Sequence, residues 1–503
     1  MKYILGIDTG TQSTKVIFYD PESHRIAAEA SAPHEIIVAD GGHREQKAEW
    51  WTEALNSALK KIPEEIRSRT IAAGVSGQQH GFVPLDASGN VLSNVKLWCD
   101  TATAEECEEI MKRAGGADAC LKETGNTILP GYTASKILWL KKKKPDVYKY
   151  LSTILLPHDY INFFLTGKKV MECGDASGTG LLKVPKKTWS AKICKAIDPE
   201  KDLTVCLPSL IASHESAGNI QPKAAEYLGL PAGIPVSSGS GDNMMGAIGM
   251  GAVEEGIACI SLGTSGTLFA YSKKPAADPS GNAAAFCSAT GGWLPLICTM
   301  NCTAGTELFR KLFDLPVKEL DAQAAQSKPG SLGIIMLPYF NGERTPNLPY
   351  GSGCVFGLTP ANLEKPHILR AAMESAVFGL RYGMEIFNKM EIHPKEIRIT
   401  GGGSKSQLWR QICADILGMP IHVPENSEGA AFGAALQALW MLRVRTNIES
   451  PQQVLKELIT QHVRLNSNQG AIPIPAHTEI YNTVYKKYLQ YAEALSPFFK
   501  NQI

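Results

Sequence analysis

Three polar stretches of this sequence carry side chains of the kind that handle phosphoryl groups. Asp8 closes an apolar run and is followed by Thr9, Gly10, Thr11, Gln12, Ser13 and Thr14, a turn whose amides and hydroxyls can converge on one point. That suits a phosphate, and the carboxylate beside it suits Mg²⁺, which keeps most of its waters and takes one or two carboxylates plus phosphate oxygens. An Asx-type turn that satisfies only its own backbone explains the same residues. Gly263, Thr264, Ser265 and Gly266 repeat the device, and two such turns facing each other can grip successive phosphates of a nucleotide. Residues 237–241, nearly all Ser and Gly, lead into Asp242 and Asn243 and then a run of small residues, so an acid stands at a helix start. Asp242 reads as an N-cap, as the carboxylate that takes the proton of an alcohol attacking a γ-phosphoryl group, or as both. A cap setting lowers a carboxyl pKa and keeps it ionised at pH 7.

His80 ends the stretch SGQQHG after a short buried strand, at the carboxyl end where ligands of open α/β sheets collect. With Gln78 and Gln79 it forms a group of donors and acceptors suited to the hydroxyls of a sugar, although a lone His is commonly structural. Trp98 and Asp100 offer an apolar wall and another acceptor, with core packing and surface charge as equal explanations. Gly401, Gly402 and Gly403, with Ser404, Ser406 and Gln407, form a loop where backbone can approach a flat ligand such as adenosine; a tight turn without a ligand is the alternative. The sequence contains no GxxxxGK[ST], no HRD or DFG and no HExxH, so any ATP is cradled differently.

The elements that must position these residues follow from pattern. Residues 3–7 and 15–19 read as a hairpin around the first turn, and 257–262 and 267–271 as a second hairpin of the same design. Two such hairpins half a chain apart predict a duplicated α/β architecture facing a central cleft, with a boundary near residue 250. Helical spacing covers 47–61, 133–144, about 366–390 and 430–442; strands are expected at 71–75 and 397–400, and a helix resumes near Ser406. The last sixty residues look helical without readable chemistry. Lys141–144 reads as a solvated helix end.

At 503 residues, 44% of them apolar and 20% charged, the chain is globular and long enough for two domains. A net charge of +1 recommends neither nucleic acid nor an anionic membrane, and leaves a small ligand. No stretch approaches the roughly 20 apolar residues of a membrane helix, and the opening is too short for a signal peptide. The 12 Cys lie apart with no CxxC spacing, as expected of reduced residues in a cytoplasmic protein.

In order and spacing, GIDTGTQSTK (6–15), SGQQHG (76–81), GYTASKILWL (131–140), LPHDYINFFLTG (156–167), GDAS (174–177), GSGDN (239–243), SLGTSG (261–266), GCVFGLTP (353–360) and GGGSKSQLWRQ (401–411) resemble the FGGY carbohydrate kinases. Within that family the chain is most similar to the branch acting on D-xylulose. The resemblance implies two ribonuclease-H-like domains of the actin and hexokinase-like ATPase superfamily around a cleft: 1–250 for the sugar and the first phosphate hairpin, and 251–503 for ATP. It implies phosphorylation of D-xylulose at O5 by ATP with Mg²⁺. Asp242 matches the catalytic base and Asp8 the acid at the Mg-ATP end. Gly10–Thr14 and Gly263–Gly266 match the phosphate turns, and Gly402, Gly403 and Ser406 the adenosine motif. Gln79 and His80, with Trp98, Asp242 and Asn243, fall at the sugar. Many relatives carry Met where this chain has Gln79, which bears on the sugar accepted. Gluconate, ribulose or a glycerol-like polyol is the alternative substrate, an ATPase working on a protein partner the alternative class, and a homodimer is compatible with the family.

Overall fold

Successive side chains of a strand point to opposite faces, so the run at 3–7 sends Ile4 to one core and Leu5 and Ile7 to another. In the computed structural model, which describes residues 1–426, 428–446 and 448–499, that run is the strand Tyr3–Thr9. It pairs antiparallel with Ser13–Asp20 and parallel with Thr70–Gly77. Arg25–Pro33 flanks the hairpin antiparallel, Pro235–Ser237 extends the parallel side, and Ser240–Gly241 also pairs with Thr70–Gly77. The second sheet repeats this arrangement. Ile257–Leu262 lies antiparallel to Gly266–Ala270, which lies antiparallel to Leu296–Thr299; on the other side come Glu396–Thr400 and Ile421–His422, both parallel. Both hairpins and both parallel strands therefore stand where the sequence places them.

Between the sheets lies a helical layer. The helices Asp242–Gly249 and Gly429–Val444 bury Met244, Ile248, Phe432, Leu436 and Trp440 against Ile4, Ile17 and Ala72 of the first sheet and Cys259, Phe269 and Leu296 of the second. Helices such as Ala48–Leu59 and Pro157–Thr166 cover the outer face of the first sheet, and Lys365–Lys389, Gln407–Leu417 and Pro475–Leu495 that of the second. The middle helices approach backbone to backbone. A Cβ on Gly433 would overlap Met245 O, and one on Gly249 would overlap Gly429 O. Gly433→Val is accordingly expected to lower stability by roughly 2–3 kcal/mol, the cost of overpacking a closed contact; an unfolding midpoint in denaturant equal to wild type contradicts this packing.

The lysine run differs from expectation in part. Lys141 Nζ pairs with the buried Asp198 (2.7 Å) and Lys142 Nζ with Glu106 (3.0 Å) and Glu109 (3.1 Å), so these ammonium groups tie the helix Thr133–Lys143 to its neighbours. All 12 cysteines are free thiols, and among the described residues no helix is long and apolar enough to cross a membrane.

Candidate active site

The strand Thr70–Gly77 organises the site by register. Ser76 lies between Asp8 on one side and Ser240 on the other, and Gly77 between Thr9 and Gly241. Two strand spacings of about 4.8 Å set the Asp8 strand about 10 Å from the strand that runs into Asp242. Ser76 Oγ donates to Asp8 Oδ1 at 2.8 Å. Burial pushes the Asp8 carboxyl up, opposed by that hydrogen bond and by the Lys15 charge, so a cation nearby would relieve it.

Asp242 opens the helix Asp242–Gly249, but Gly241 holds the N-cap position, which corrects the expectation of an aspartate cap. Asp242 Oδ1 accepts from Asn243 N (2.7 Å) and Asn243 Nδ2 (2.9 Å). The expected fall in pKa is reversed: burial pushes the carboxyl up to about 7, the Asp8 charge acts in the same direction, and the Asn243 bonds only moderate the rise.

A cavity of about 400 Å³ brings together Asp242, Asn243, Gln79, His80 and Trp98 with Gly263 and Ser265 of the second turn. His80 is held there in a left-handed backbone conformation, φ 65°, that a non-glycine residue keeps only when its surroundings enforce it. Thr133 Oγ1 (3.1 Å) and Lys136 Nζ (2.8 Å) both donate to its carbonyl, and Lys136 also donates to Gly131 O (2.7 Å). The GYTASK stretch thus acts as a clamp on His80. Burial brings the Lys136 ammonium down to about 7. Burial also lowers the His80 imidazole well below its usual range, with the Lys136 and Arg344 charges adding to the effect, so the ring is neutral at pH 7 and can both donate and accept. Trp98 Nε1 donates to Thr11 Oγ1 (3.0 Å), joining the cavity wall to the first turn.

Other expected residues sit differently. Gln79 is buried, and its amide is engaged: Oε1 accepts from Asn243 Nδ2 (2.9 Å) and Nε2 donates to Met244 Sδ (3.3 Å). Asp100 turns away from the cavity, accepting from Lys96 Nζ (3.0 Å) and Arg44 N (2.9 Å). His43, Glu45 and Asp100 resemble a metal cluster, but Lys96 Nζ lies 3.1, 3.2 and 3.0 Å from them and supplies the positive charge itself. In the first turn Gly10 N donates to Ser13 O (3.0 Å), as Gly263 N does to Ser265 O (3.1 Å) in the second. Gln12 is exposed and Ser13 half-buried, whereas Thr14 is enclosed, with its hydroxyl against Thr9 Oγ1 (3.5 Å) and its backbone paired between Thr9 and Ala32, so it belongs to the strand and not to the open turn. Gly263 and Thr264 carbonyls accept from Thr303 N and Cys302 N, each 3.0 Å, seating the second turn on the helix Thr303–Leu312. Gly266 begins a strand instead of lying in the turn, where a Cβ would fall 2.7 Å from Thr299 Oγ1.

The triple-glycine loop packs on the base of that second hairpin. A Cβ on Gly401 would lie 2.6 Å from Leu262 O and one on Gly403 2.9 Å from Leu262 Cβ, so both glycines answer to packing. Gly402 alone is exposed with open space before it. Ser406 caps the next helix, its Oγ accepting from Trp409 N at 3.0 Å. Sequence reasoning missed Arg344 on the cavity wall, in the stretch NGERTP, where a charged pair between Gly and Pro was the available signal, and Lys136, fully buried behind His80 in an ordinary-looking helix.

Family models for the FGGY carbohydrate kinases match the chain, the N-terminal domain over residues 3–249 and the C-terminal domain over 258–442. A xylulose kinase of Haemophilus influenzae is 40% identical over 498 residues, 98% of this chain and 99% of the relative. A solved structure described as a xyloylose kinase from Brucella ovis superposes with a TM-score of 0.90 at 29% identity, over 99% of this chain and 100% of the other. A gluconate kinase from Lactobacillus acidophilus superposes equally well, TM-score 0.90 at 26% identity, over 98% of each chain.

Proposed function

The chain belongs to the FGGY family of carbohydrate kinases, and from that premise we propose that it transfers the γ-phosphoryl group of ATP to the C5 hydroxyl of D-xylulose, with Asp242 as general base. The observation that carries this reading is the single cavity shared by Asp242, His80 and the second glycine turn. The sugar lies along His80 and Asn243, with the wall of Trp98 beside it. The neutral His80 ring and the Asn243 amide hydrogen-bond its hydroxyls. The two turns direct backbone amides at the phosphates, where they stabilise charge as it spreads over the transferring group. Residues before about 250 serve the sugar and supply the first phosphate turn, and those after it serve ATP.

Mg²⁺ fits the donor set at Asp8: a carboxylate raised by burial at the end of a strand, among oxygen groups and beside the turn. Asp8 would hold the ion there, and its charge would offset that of the phosphates. Asp242 takes the hydroxyl proton as the phosphoryl group leaves ADP. A carboxylate poised near neutrality is a stronger base than an ordinary aspartate, about half ionised at pH 7 and increasingly available above it. Because it must be ionised to accept that proton, kcat/KM is expected to fall about tenfold per pH unit below about 7. A flat profile down to pH 5 contradicts the assignment. The free thiols support a reducing compartment, the cytoplasm.

Arg344, on the cavity wall with its charge felt by His80, favours one second reading, an acidic acceptor such as gluconate. Sugar-dependent ADP release across pentuloses, gluconate and glycerol separates the two. Highest kcat/KM with D-xylulose is expected; highest with gluconate transfers the assignment, and turnover indifferent to every sugar removes it.

A further inference from the structure

The stretches at 156–167 and 174–177 take no part in the chemistry above, yet their ionisable side chains meet beneath Gly241. His158 donates from Nδ1 to Asp175 Oδ2 at 2.6 Å, and its Nε2 lies 2.9 Å from Asp159 Oδ1, all three side chains fully enclosed. Glu172 braces the same corner by accepting from Asp175 N (2.9 Å) and from Ser240 Oγ, on the strand that leads into Asp242. Burial alone would lower the His158 pKa; the Asp159 and Asp175 carboxyls outweigh it and push it well above its usual range, while burial pushes the Asp175 carboxyl up in turn. Asp175 is thereby anchored through one oxygen. Its other oxygen, Oδ1, is buried without a hydrogen-bond partner among the described residues.

That free oxygen and the Gln79 amide flank one backbone position. A Cβ on Gly241 would lie 3.0 Å from Asp175 Oδ1 and 3.0 Å from Gln79 Cδ. A buried carboxyl with an open lone pair beside a primary amide favours one of its two orientations, N–H on the side of the oxygen and carbonyl away; the same orientation lets Gln79 Nε2 donate to Met244 Sδ (3.3 Å). The carbonyl end is where that choice predicts an acceptor: Gln79 Oε1 takes a hydrogen bond from Asn243 Nδ2 (2.9 Å), and the same Nδ2 donates to Asp242 Oδ1 (2.9 Å). The flipped amide would set two NH₂ groups against each other and release Asn243.

We propose that Asp175, anchored by His158, is a positioning residue for phosphoryl transfer, acting through Gln79 and Asn243 to hold the Asp242 carboxylate in the orientation that meets the acceptor hydroxyl. It is fully buried and does not line the cavity. The inference rests on Asp242 being the base. A Met in place of Gln79 has no amide to orient, so the link depends on the residue this chain carries at that position.

The test is a double-mutant cycle on sugar-dependent ADP release, with kcat taken per molecule competent to bind ADP. Asp175→Asn and Gln79→Met are each expected to lower kcat about tenfold or more, as small misplacements of a catalytic group do, with KM for ATP unchanged. In the double variant kcat is expected to fall no further than in the weaker single variant, because both changes break one chain. Losses that multiply overturn the proposal, as does an Asp175→Asn enzyme with wild-type kcat and a raised KM for sugar. Should Asp175→Asn yield no folded protein, His158→Gln replaces it in the cycle, with the same non-multiplying result expected and the same multiplying result fatal. Asp242→Asn assayed alongside separates the levels: full activity there removes the base and this network together, whereas an inactive Asp242→Asn with a multiplying cycle removes the network alone.

Discussion

An Asp242→Asn enzyme is expected to lose kcat by about 10³-fold while ADP binds as tightly as to wild type. The amide oxygen still accepts from Asn243 N and Nδ2, so the helix start keeps its geometry, but an amide cannot take a proton. Positioned general bases contribute about 10²–10⁴-fold, and the remaining activity reflects positioning by the two turns. Isothermal titration with ADP and coupled ADP release on the same preparation give the two halves of the result. A kcat within threefold of wild type removes Asp242 from the chemistry, and lost ADP binding makes it a structural residue of the nucleotide site.

Asp8→Asn is expected to lower kcat by about 10²-fold or more at physiological Mg²⁺, with part of the loss restored as Mg²⁺ is raised, because a neutral amide is a weaker partner for the hydrated ion. A second effect has the opposite character. The Asp8 charge helps to raise the Asp242 pKa, so removing it lets Asp242 ionise more readily and moves the acid limb of the pH profile to lower pH. Slower turnover and a limb displaced downward in one variant point to two carboxylates acting across the strand Thr70–Gly77. An Asp8→Asn enzyme with wild-type kcat and an unmoved limb contradicts both roles.

The duplicated hairpins were legible because each repeats apolar alternation around a Gly-Thr turn, and the structure gives them the same place in two sheets of like order. The helix Gly429–Val444 was legible as a helix, but not as the element wedged between the sheets. Its apolar residues run around its whole circumference, which signals burial without naming a partner. Asp242 could be found from the Ser-Gly approach and the helix start, whereas its pKa could not. The sequence shows a helix terminus that lowers it; only the fold brings the burial and the second carboxylate that raise it. His80 was visible as a polar strand end, but the clamp that sets its backbone comes from Thr133 and Lys136, more than fifty residues away. Asp100 stayed open between ligand acceptor and structural charge because local sequence does not reveal that Lys96, four residues earlier, turns back to pair with it.

The geometry of transfer is read most directly from a crystal structure with D-xylulose and a non-hydrolysable ATP analogue bound together. The C5 hydroxyl is expected within about 2.6–3.2 Å of an Asp242 carboxylate oxygen, hydrogen-bond reach for a general base, and in line with the γ-phosphorus held at the two turns. A sugar bound with that hydroxyl beyond reach of Asp242, or with another side chain in contact with it, contradicts the mechanism.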